Sequence, residues 1–89
     1  MALVDPEAFV EGKRRASATW RARGEHELAD AYLAMTMKTC QFGLDEGARL
    51  AWMRRGDLVV GLRFDTETGE FLTSFHSRGP RPPQSDTEG

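Results

Sequence analysis

Apolar residues recur at helical spacing through the first part of the chain. Phe9, Ala16 and Trp20 lie on one stripe and predict a first helix that ends near Arg23. Asp, Pro and Glu at positions 5–7 form a helix start, because Asp caps free amides and Pro fits the first turn. Gly24 offers the left-handed conformation that stops a helix.

A second helical pattern follows that glycine. Leu28, Tyr32 and Met35 predict a helix over 25–39, with Gly43 as the residue that terminates it. The short junction at position 24 favours an antiparallel helical hairpin, although one helix with a kink fits the same spacing.

The pattern changes to short strands after Gly47. The segments 49–54, 58–65 and 70–77 are rich in Val, Leu, Phe, Trp and Thr. Turn-forming residues separate them at 55–57 and at 66–69. The sequence therefore predicts a three-stranded antiparallel meander after the two helices.

Loop lengths predict which residues share a face of this sheet. A three-residue loop at 55–57 and a four-residue loop at 66–69 keep most apolar residues together. The face expected to bury against the helices carries Leu50, Trp52, Val60, Leu62, Phe64, Phe71 and Phe75. The outward face is expected to carry Arg49, Arg63, Ser74 and His76, with Gly61 as an open floor between them.

These elements predict one α+β domain over residues 1–79, with the helical hairpin packed on one face of the meander. The segment 80–89 is rich in proline and has no large apolar residue, so we expect a disordered tail. A proline-rich docking segment is the alternative for that tail.

Composition limits the class of protein. The chain has 89 residues, of which 39% are hydrophobic and 29% charged, as in a soluble globular domain. It has no apolar run long enough to cross a bilayer and no secretory leader, so we expect a cytoplasmic protein without membrane contact. One cysteine and two histidines provide neither an internal disulfide nor a zinc site, and no cofactor or metal is predicted.

Charge is distributed unevenly, although the formal net charge is only −2. The predicted register places Arg49 beside Arg63 on the outward face, where an anion between them would relieve their repulsion. Guanidinium groups bind phosphate oxygens bidentately, and a histidine titrates near neutral pH. Arg49, Arg63, Ser74 and His76 are therefore candidates for a phosphate site, with solvated surface charges as the alternative. Further candidates for contacts to a phosphate backbone are Lys13, Arg14, Arg54 and Arg78.

The segments 56–69 and 69–76 also carry a resemblance to a known group. A basic strand residue, Arg63, precedes an acidic turn that ends in Gly69, and the last strand carries Thr and Ser followed by Phe and His. This hairpin resembles the end of the small RNase-toxin domains related to barnase, EndoU, colicin-type tRNases and RelE. The likeness covers residues 48–78. The chain departs from the group in its slightly acidic charge and in the absence of an obvious catalytic residue in the helical half.

The resemblance implies metal-free cleavage of RNA by attack of a ribose 2′-hydroxyl on the adjacent phosphorus. His76 would act as acid or base, Arg49 and Arg63 would stabilise the phosphate, and Ser74 would orient it.

A non-catalytic protein-binding regulator or inhibitor is the alternative hypothesis. Met53, Val59 and Leu72 would form the contact patch on the outward face, with the arginines as rim charges. Self-association as a homodimer through a sheet edge is a further option, because edge strands expose unpaired backbone groups.

Overall fold

The computed structural model describes residues 4–79 of the chain. Two helices are followed by one antiparallel sheet with the strand order β1-β2-β3-β4. The elements are α1 (Pro6–Ala22), α2 (His26–Ala34), β1 (Gln41–Asp45), β2 (Ala48–Arg55), β3 (Leu58–Asp65) and β4 (Phe71–Arg78). The predicted α+β class is confirmed, and the predicted disordered tail over 80–89 lies outside the described residues.

The first helix follows the sequence prediction closely. The carboxylate of Asp5 accepts a hydrogen bond of 3.0 Å from the amide of Ala8, and Pro6 is the first helical residue. Gly24 adopts a φ of 81°, which ends the helical path and starts the reversal into α2.

The second helix is shorter than predicted, and a strand occupies part of the predicted range. α2 ends at Ala34, and Met35 is already extended. Thr36 and Thr39 then close a compact turn through four hydrogen bonds, in which their hydroxyls compete with helical bonding. Gly43 does not terminate a helix but lies within β1. The prediction of three strands was therefore wrong, since the sheet has four.

The turn between β2 and β3 contains two residues instead of the predicted three. Arg55 pairs with Leu58, so that only Gly56 and Asp57 form the loop, and Gly56 takes a φ of 66°. Because strand side chains alternate, this one-residue difference turns all of β2 over. Leu50 and Trp52 consequently lie on the face opposite to the predicted one.

A β-bulge has the same effect on β4. Phe64 pairs with Phe71 as predicted, but Arg63 pairs with Thr73, which leaves Leu72 as an extra residue. Beyond this point the partners differ by one residue from the prediction. Phe75 therefore lies on the same face as Trp52, and Ser74 and His76 lie on the other.

The helices cover one face of the sheet and build the core there. Gly12 lets α1 approach closely, since a Cβ atom at this position would lie 2.9 Å from Cδ1 of Phe71. The main core residues from the sheet are Ala51, Met53, Leu58, Val60, Leu62 and Phe64, and those from the helices are Phe9, Ala16, Leu28, Ala31 and Tyr32. We call this side of the sheet the covered face.

The other side of the sheet, here called the open face, has no helix on it among residues 4–79. It carries Leu50, Trp52, Arg54, Val59, Gly61, Arg63, Thr73 and Phe75. Its four large apolar side chains are half-buried and none of them belongs to the core cluster. Within residues 4–79, the sheet thus has apolar side chains on both faces, and the helices cover one of them.

One pair of residues connects the two faces. The ring of Phe75 lies directly over Gly61, its partner on β3, so that a Cβ atom at position 61 would overlap the ring. On the covered side, the hydroxyl of Tyr32 donates a hydrogen bond of 2.6 Å to the carbonyl oxygen of Phe75. The open-face position of Phe75 is therefore held by α2 from below and by the glycine beside it.

Replacing Gly61 with alanine should destabilise the fold, because the Phe75 ring must leave its position over the strand. We expect a loss of about 1–3 kcal/mol in the free energy of unfolding. Urea denaturation followed by circular dichroism measures this loss.

Gly43→Ala is the matched control, since Gly43 is also on a strand and has no neighbouring atom within 4 Å of a Cβ position. Its free energy of unfolding should be unchanged or slightly raised. Equal losses for the two variants would contradict the packing described for Gly61.

Candidate functional site

The two arginines of the predicted phosphate site lie on opposite faces of the sheet. Arg63 is on the open face, where its guanidinium forms an ion pair of 3.0 Å with Asp45 of β1. Arg49 pairs in register with Phe64 and is on the covered face, half-buried. The prediction that they are adjacent was wrong, because it depended on the three-residue turn.

Ser74 and His76 lie on the covered face beside the end of α1. The indole nitrogen of Trp20 donates to the Ser74 hydroxyl at 3.3 Å. The Trp20 and His76 rings meet edge to face, with centroids 4.9 Å apart. The structure thus brings Ser74 and His76 together with a tryptophan and not with Arg63.

Arg49 is also remote from this pair along the covered face. Arg49 pairs with Phe64 of β3, whereas His76 pairs with Val60, which is four residues away along the same strand. Four residues correspond to about 13 Å of strand. The four residues predicted as one catalytic group are therefore divided between two faces and two ends of the sheet.

Three of the four predicted contacts to a phosphate backbone have hydrogen-bond partners in the described region, with Arg14 as the exception. The ammonium group of Lys13 donates to the carbonyl oxygens of Leu33 and Met35, at 3.1 and 2.7 Å, and so caps the C-terminal end of α2. Arg78 bridges Glu27 and Asp57 through two ion pairs of 3.1 Å.

The other two predicted contacts carry charge without an ion pair among residues 4–79. Arg14 is exposed on α1. Arg54, at one end of the open face, donates to the backbone carbonyls of Gly56 and Gly79, at 3.1 and 3.2 Å. Arg54 therefore leaves a positive charge at the rim of the apolar layer.

The remaining basic residues in α1 and just after it contact other side chains of the protein. Arg15 lies over the Phe71 ring and Arg23 over the Trp20 ring, with centroid distances of 5.4 and 5.0 Å. Arg21 forms an ion pair of 2.7 Å with Asp30, and this pair holds the pKa of Asp30 below its usual value. The basic segment is thus largely used for packing α1 against its neighbours.

The predicted protein-contact patch of Met53, Val59 and Leu72 does not form one surface. Met53 is buried in the core, and Leu72 is the half-exposed extra residue of the bulge. Val59 alone is on the open face as predicted.

The open face has its own ordered arrangement. Trp52, Gly61 and Phe75 form one row across three strands, in which the Phe75 ring lies over Gly61 and Trp52 lies on the neighbouring strand. Leu50 and Val59 lie beside this row. We treat this row and its flanking residues as the candidate functional site.

Charges mark the two ends of that site. Arg54 lies at the end near the β2–β3 turn, and the Arg63–Asp45 pair lies at the other. The Glu46 amide and the Arg63 guanidinium hold the pKa of Asp45 below its usual value.

Sequence reasoning missed this site because it assigned Leu50, Trp52 and Phe75 to the core. The available signal was the Gly56-Asp57 pair, because glycine in a two-residue hairpin loop supplies the positive φ that such turns require. A two-residue loop alone would have turned Trp52 outward.

Neither the free thiol nor the described acids point to a catalytic or metal centre. Burial raises the pKa of the Cys40 thiol to about 11, which keeps it protonated and unreactive at neutral pH. Among residues 4–79, no group of three metal-ligating side chains is placed to hold an ion. A cleft of about 570 Å³ between the start of α1 and the β3–β4 turn mixes acids with Arg15 and lies away from the open face.

Comparison with known protein families, curated proteins and solved structures finds no match to this chain. Neither helix in the described part of the chain is long and apolar enough to span a membrane.

Lys13→Met should weaken the fold, because the carbonyl groups at the end of α2 lose their charged donor. We expect a loss of about 1 kcal/mol in the free energy of unfolding. Chemical denaturation measures it.

Arg14→Met is the control, since Arg14 is the next residue and has no hydrogen bond or ion pair in the described region. It should change stability by less than about 0.5 kcal/mol. If the Lys13 variant were equally neutral, the capping contacts would contribute nothing to stability.

Proposed function

We propose that this protein is a peptide-binding module, non-catalytic, which takes an extended proline-rich segment of a partner protein on its open face. The observation that carries the proposal is the row of Trp52, Gly61 and Phe75, which presents two aromatic rings on the sheet face that no helix covers among residues 4–79.

Aromatic side chains on a rigid sheet suit a proline-rich ligand for two reasons. Proline rings pack on aromatic faces, and a polyproline II segment is already extended, so that little conformational entropy is lost on binding. The Phe75 ring is also placed before the ligand arrives, since it lies over Gly61 and the Phe75 carbonyl accepts a hydrogen bond from Tyr32. Such preorganisation lowers the cost of association.

The ends of the open face provide orientation. Arg54 carries a positive charge that its backbone acceptors do not neutralise. A partner segment with an acidic residue beside its prolines would place that acid near Arg54, which favours one direction of binding over the other.

An oligoproline peptide should bind saturably to the 89-residue chain. The indole signal of Trp52 should shift more than that of Trp20, which contacts Ser74 and His76 on the covered face. Two-dimensional NMR titration distinguishes the two tryptophans. Trp52→Leu should reduce the affinity at least tenfold, because it removes one of the two rings.

Leu33→Thr is the matched control, since Leu33 is apolar and 45% exposed but belongs to α2. Its affinity should equal that of the wild type. A glycine-serine peptide of the same length should not bind. Equal shifts for both tryptophans, or undiminished binding by the Trp52 variant, would contradict the proposal.

The metal-independent ribonuclease stays a prediction, as does the homodimer through a sheet edge. The ribonuclease hypothesis predicts RNA cleavage in the presence of a chelator that is lost in His76→Ala and kept in His26→Ala. RNA left intact by the wild type, or equal cleavage by both histidine variants, would count against it.

A further inference from the structure

The two edge strands of the sheet, β1 and β4, differ in how well they could accept a further strand. β4 contains the bulge at Leu72, and the helices contact it through Trp20 and Tyr32. Bulges and covering helices hinder the pairing of an edge with another chain. The five residues of β1 keep one continuous register with β2 and include no lysine, arginine or proline. β1 is therefore the edge better suited to accept a further strand.

The backbone groups of Phe42 and Leu44 point to the outer side of β1. Asp45 and Ala48 flank the two-residue turn at 46–47, and residues that flank such a turn form a hydrogen-bonded pair. Bonded and non-bonded pairs alternate along antiparallel strands, so positions 41 and 43 also bond to β2. The amide and carbonyl groups of Phe42 and Leu44 consequently face away from the sheet.

The side chains of the same two residues are apolar. Phe42 is half-buried against the core, whereas Leu44 is 67% exposed, more than any other large apolar residue in the described region. Both are on the covered face, because they pair with Ala51 and Arg49. Between them, Gly43 leaves free space on the open face, since a Cβ atom there would have no atom within 4 Å. The edge thus combines free backbone groups with an exposed apolar side chain.

A second copy of β1 fits this edge in a register that pairs like with like. Two antiparallel copies of a strand are related by a two-fold axis perpendicular to the sheet, so that one residue lies opposite its own counterpart. With Gly43 at the axis, Phe42 lies opposite Leu44 of the second copy, and the outward backbone groups of each such pair meet. All five residues of the strand are then paired, and Gln41 faces Asp45 of the second copy without a like-charge contact.

The two neighbouring symmetric registers are poorer. With Phe42 at the axis, only positions 41–43 find partners within the strand, and Leu44 lies beyond the end of the second copy's strand. With Leu44 at the axis, Phe42 lies opposite Glu46 of the second copy's turn. Neither register gives Leu44 and Phe42 the apolar neighbours that stabilise cross-strand pairs.

We propose that two copies of this chain associate through β1, with Gly43 at the two-fold axis, and form one sheet with twice the four strands of a single copy. The axis is perpendicular to the sheet, so both open faces lie on the same side of it. This inference goes beyond the proposed peptide-binding function and does not depend on it, because Trp52 and Phe75 are outside the paired strands. The contact is small, so we expect a reversible dimer that forms at high protein concentration.

Disulfide trapping tests the register. In a non-hydrogen-bonded antiparallel pair the Cα atoms lie about 4.5 Å apart, which is within the range that a disulfide requires. Gly43→Cys, which has free space for its side chain, should therefore form a disulfide-linked dimer in the presence of oxidised glutathione. Electrophoresis without reductant measures the rate, and circular dichroism of the reduced variant checks the fold.

Gln41→Cys is the matched control, because Gln41 is exposed on the same face of the same strand. In the proposed register the two copies of position 41 are about 13 Å apart along the strands, which a disulfide cannot span. We expect Gly43→Cys to cross-link at least about tenfold faster than Gln41→Cys. The wild type measures the background from buried Cys40. Equal rates for the two variants, or faster linkage at position 41, would overturn the register.

A concentration series in sedimentation equilibrium tests the dimer itself. The mass of the wild type should rise from that of one chain to that of two and no further, since a two-fold contact is closed. Leu44→Lys should stay monomeric, because it places an ammonium group opposite Phe42 of the second copy. Leu72→Lys is the matched control and should dimerise like the wild type, since Leu72 is a half-exposed residue of the other edge strand.

The mass measurements also state what would contradict the contact. A wild type that stays a single chain at every concentration would overturn the inference, as would growth beyond two chains. Undiminished association of the Leu44 variant would exclude β1 as the contact. Loss of association in the Leu72 variant alone would assign the contact to β4 and overturn the inference.

Discussion

The contact between Phe75 and Gly61 organises this protein from both sides of its sheet. The ring occupies the space that a side chain at position 61 would need, and the backbone of the same phenylalanine is bonded to Tyr32 of the second helix. Burial raises the pKa of Tyr32, so its hydroxyl stays protonated as a donor over the neutral range. Phe75 thus joins the helices on one face of the sheet to the aromatic row on the other. The ring packing on Gly61 and the hydrogen bond from Tyr32 together fix the position of β4.

Electrostatics in this chain serve mainly to hold its elements together. Lys13 closes one end of the helical hairpin, and Arg21 joins the two helices through Asp30. Arg78 joins the last strand to α2 and to the β2–β3 turn. Each of these surface contacts contributes little to the free energy of unfolding. They nevertheless pair basic side chains that, from the sequence alone, were candidates for binding an anionic ligand. The apolar side chains of the open face, in contrast, are covered by no helix among residues 4–79.

The sequence predicted the first helix and β3 well because their signals are local. A capping carboxylate, a proline and a left-handed glycine define α1, and strict alternation defines β3. The candidate site was not predictable in the same way. Its side chains are turned outward by a hairpin loop one residue shorter than expected and by an extra residue at Leu72. Apolar side chains can be placed on either face of the sheet, so the order of apolar and polar residues did not distinguish the two registers. The first strand was missed for another reason: hydrogen bonds of the Thr36 and Thr39 hydroxyls end the helical region earlier than the sequence pattern indicates.

The bulge at Leu72 makes the side chains that β4 places on each face of the sheet depend on a single codon. The strand after it presents Phe75 to one side and Ser74 and His76 to the other, and the residues before it keep their pairing with β3. Loss of one residue there would exchange the two sets while leaving the hairpin intact. A single-residue insertion or deletion would therefore replace Phe75 on the open face with polar side chains, while Trp52 and the order of the strands stay unchanged.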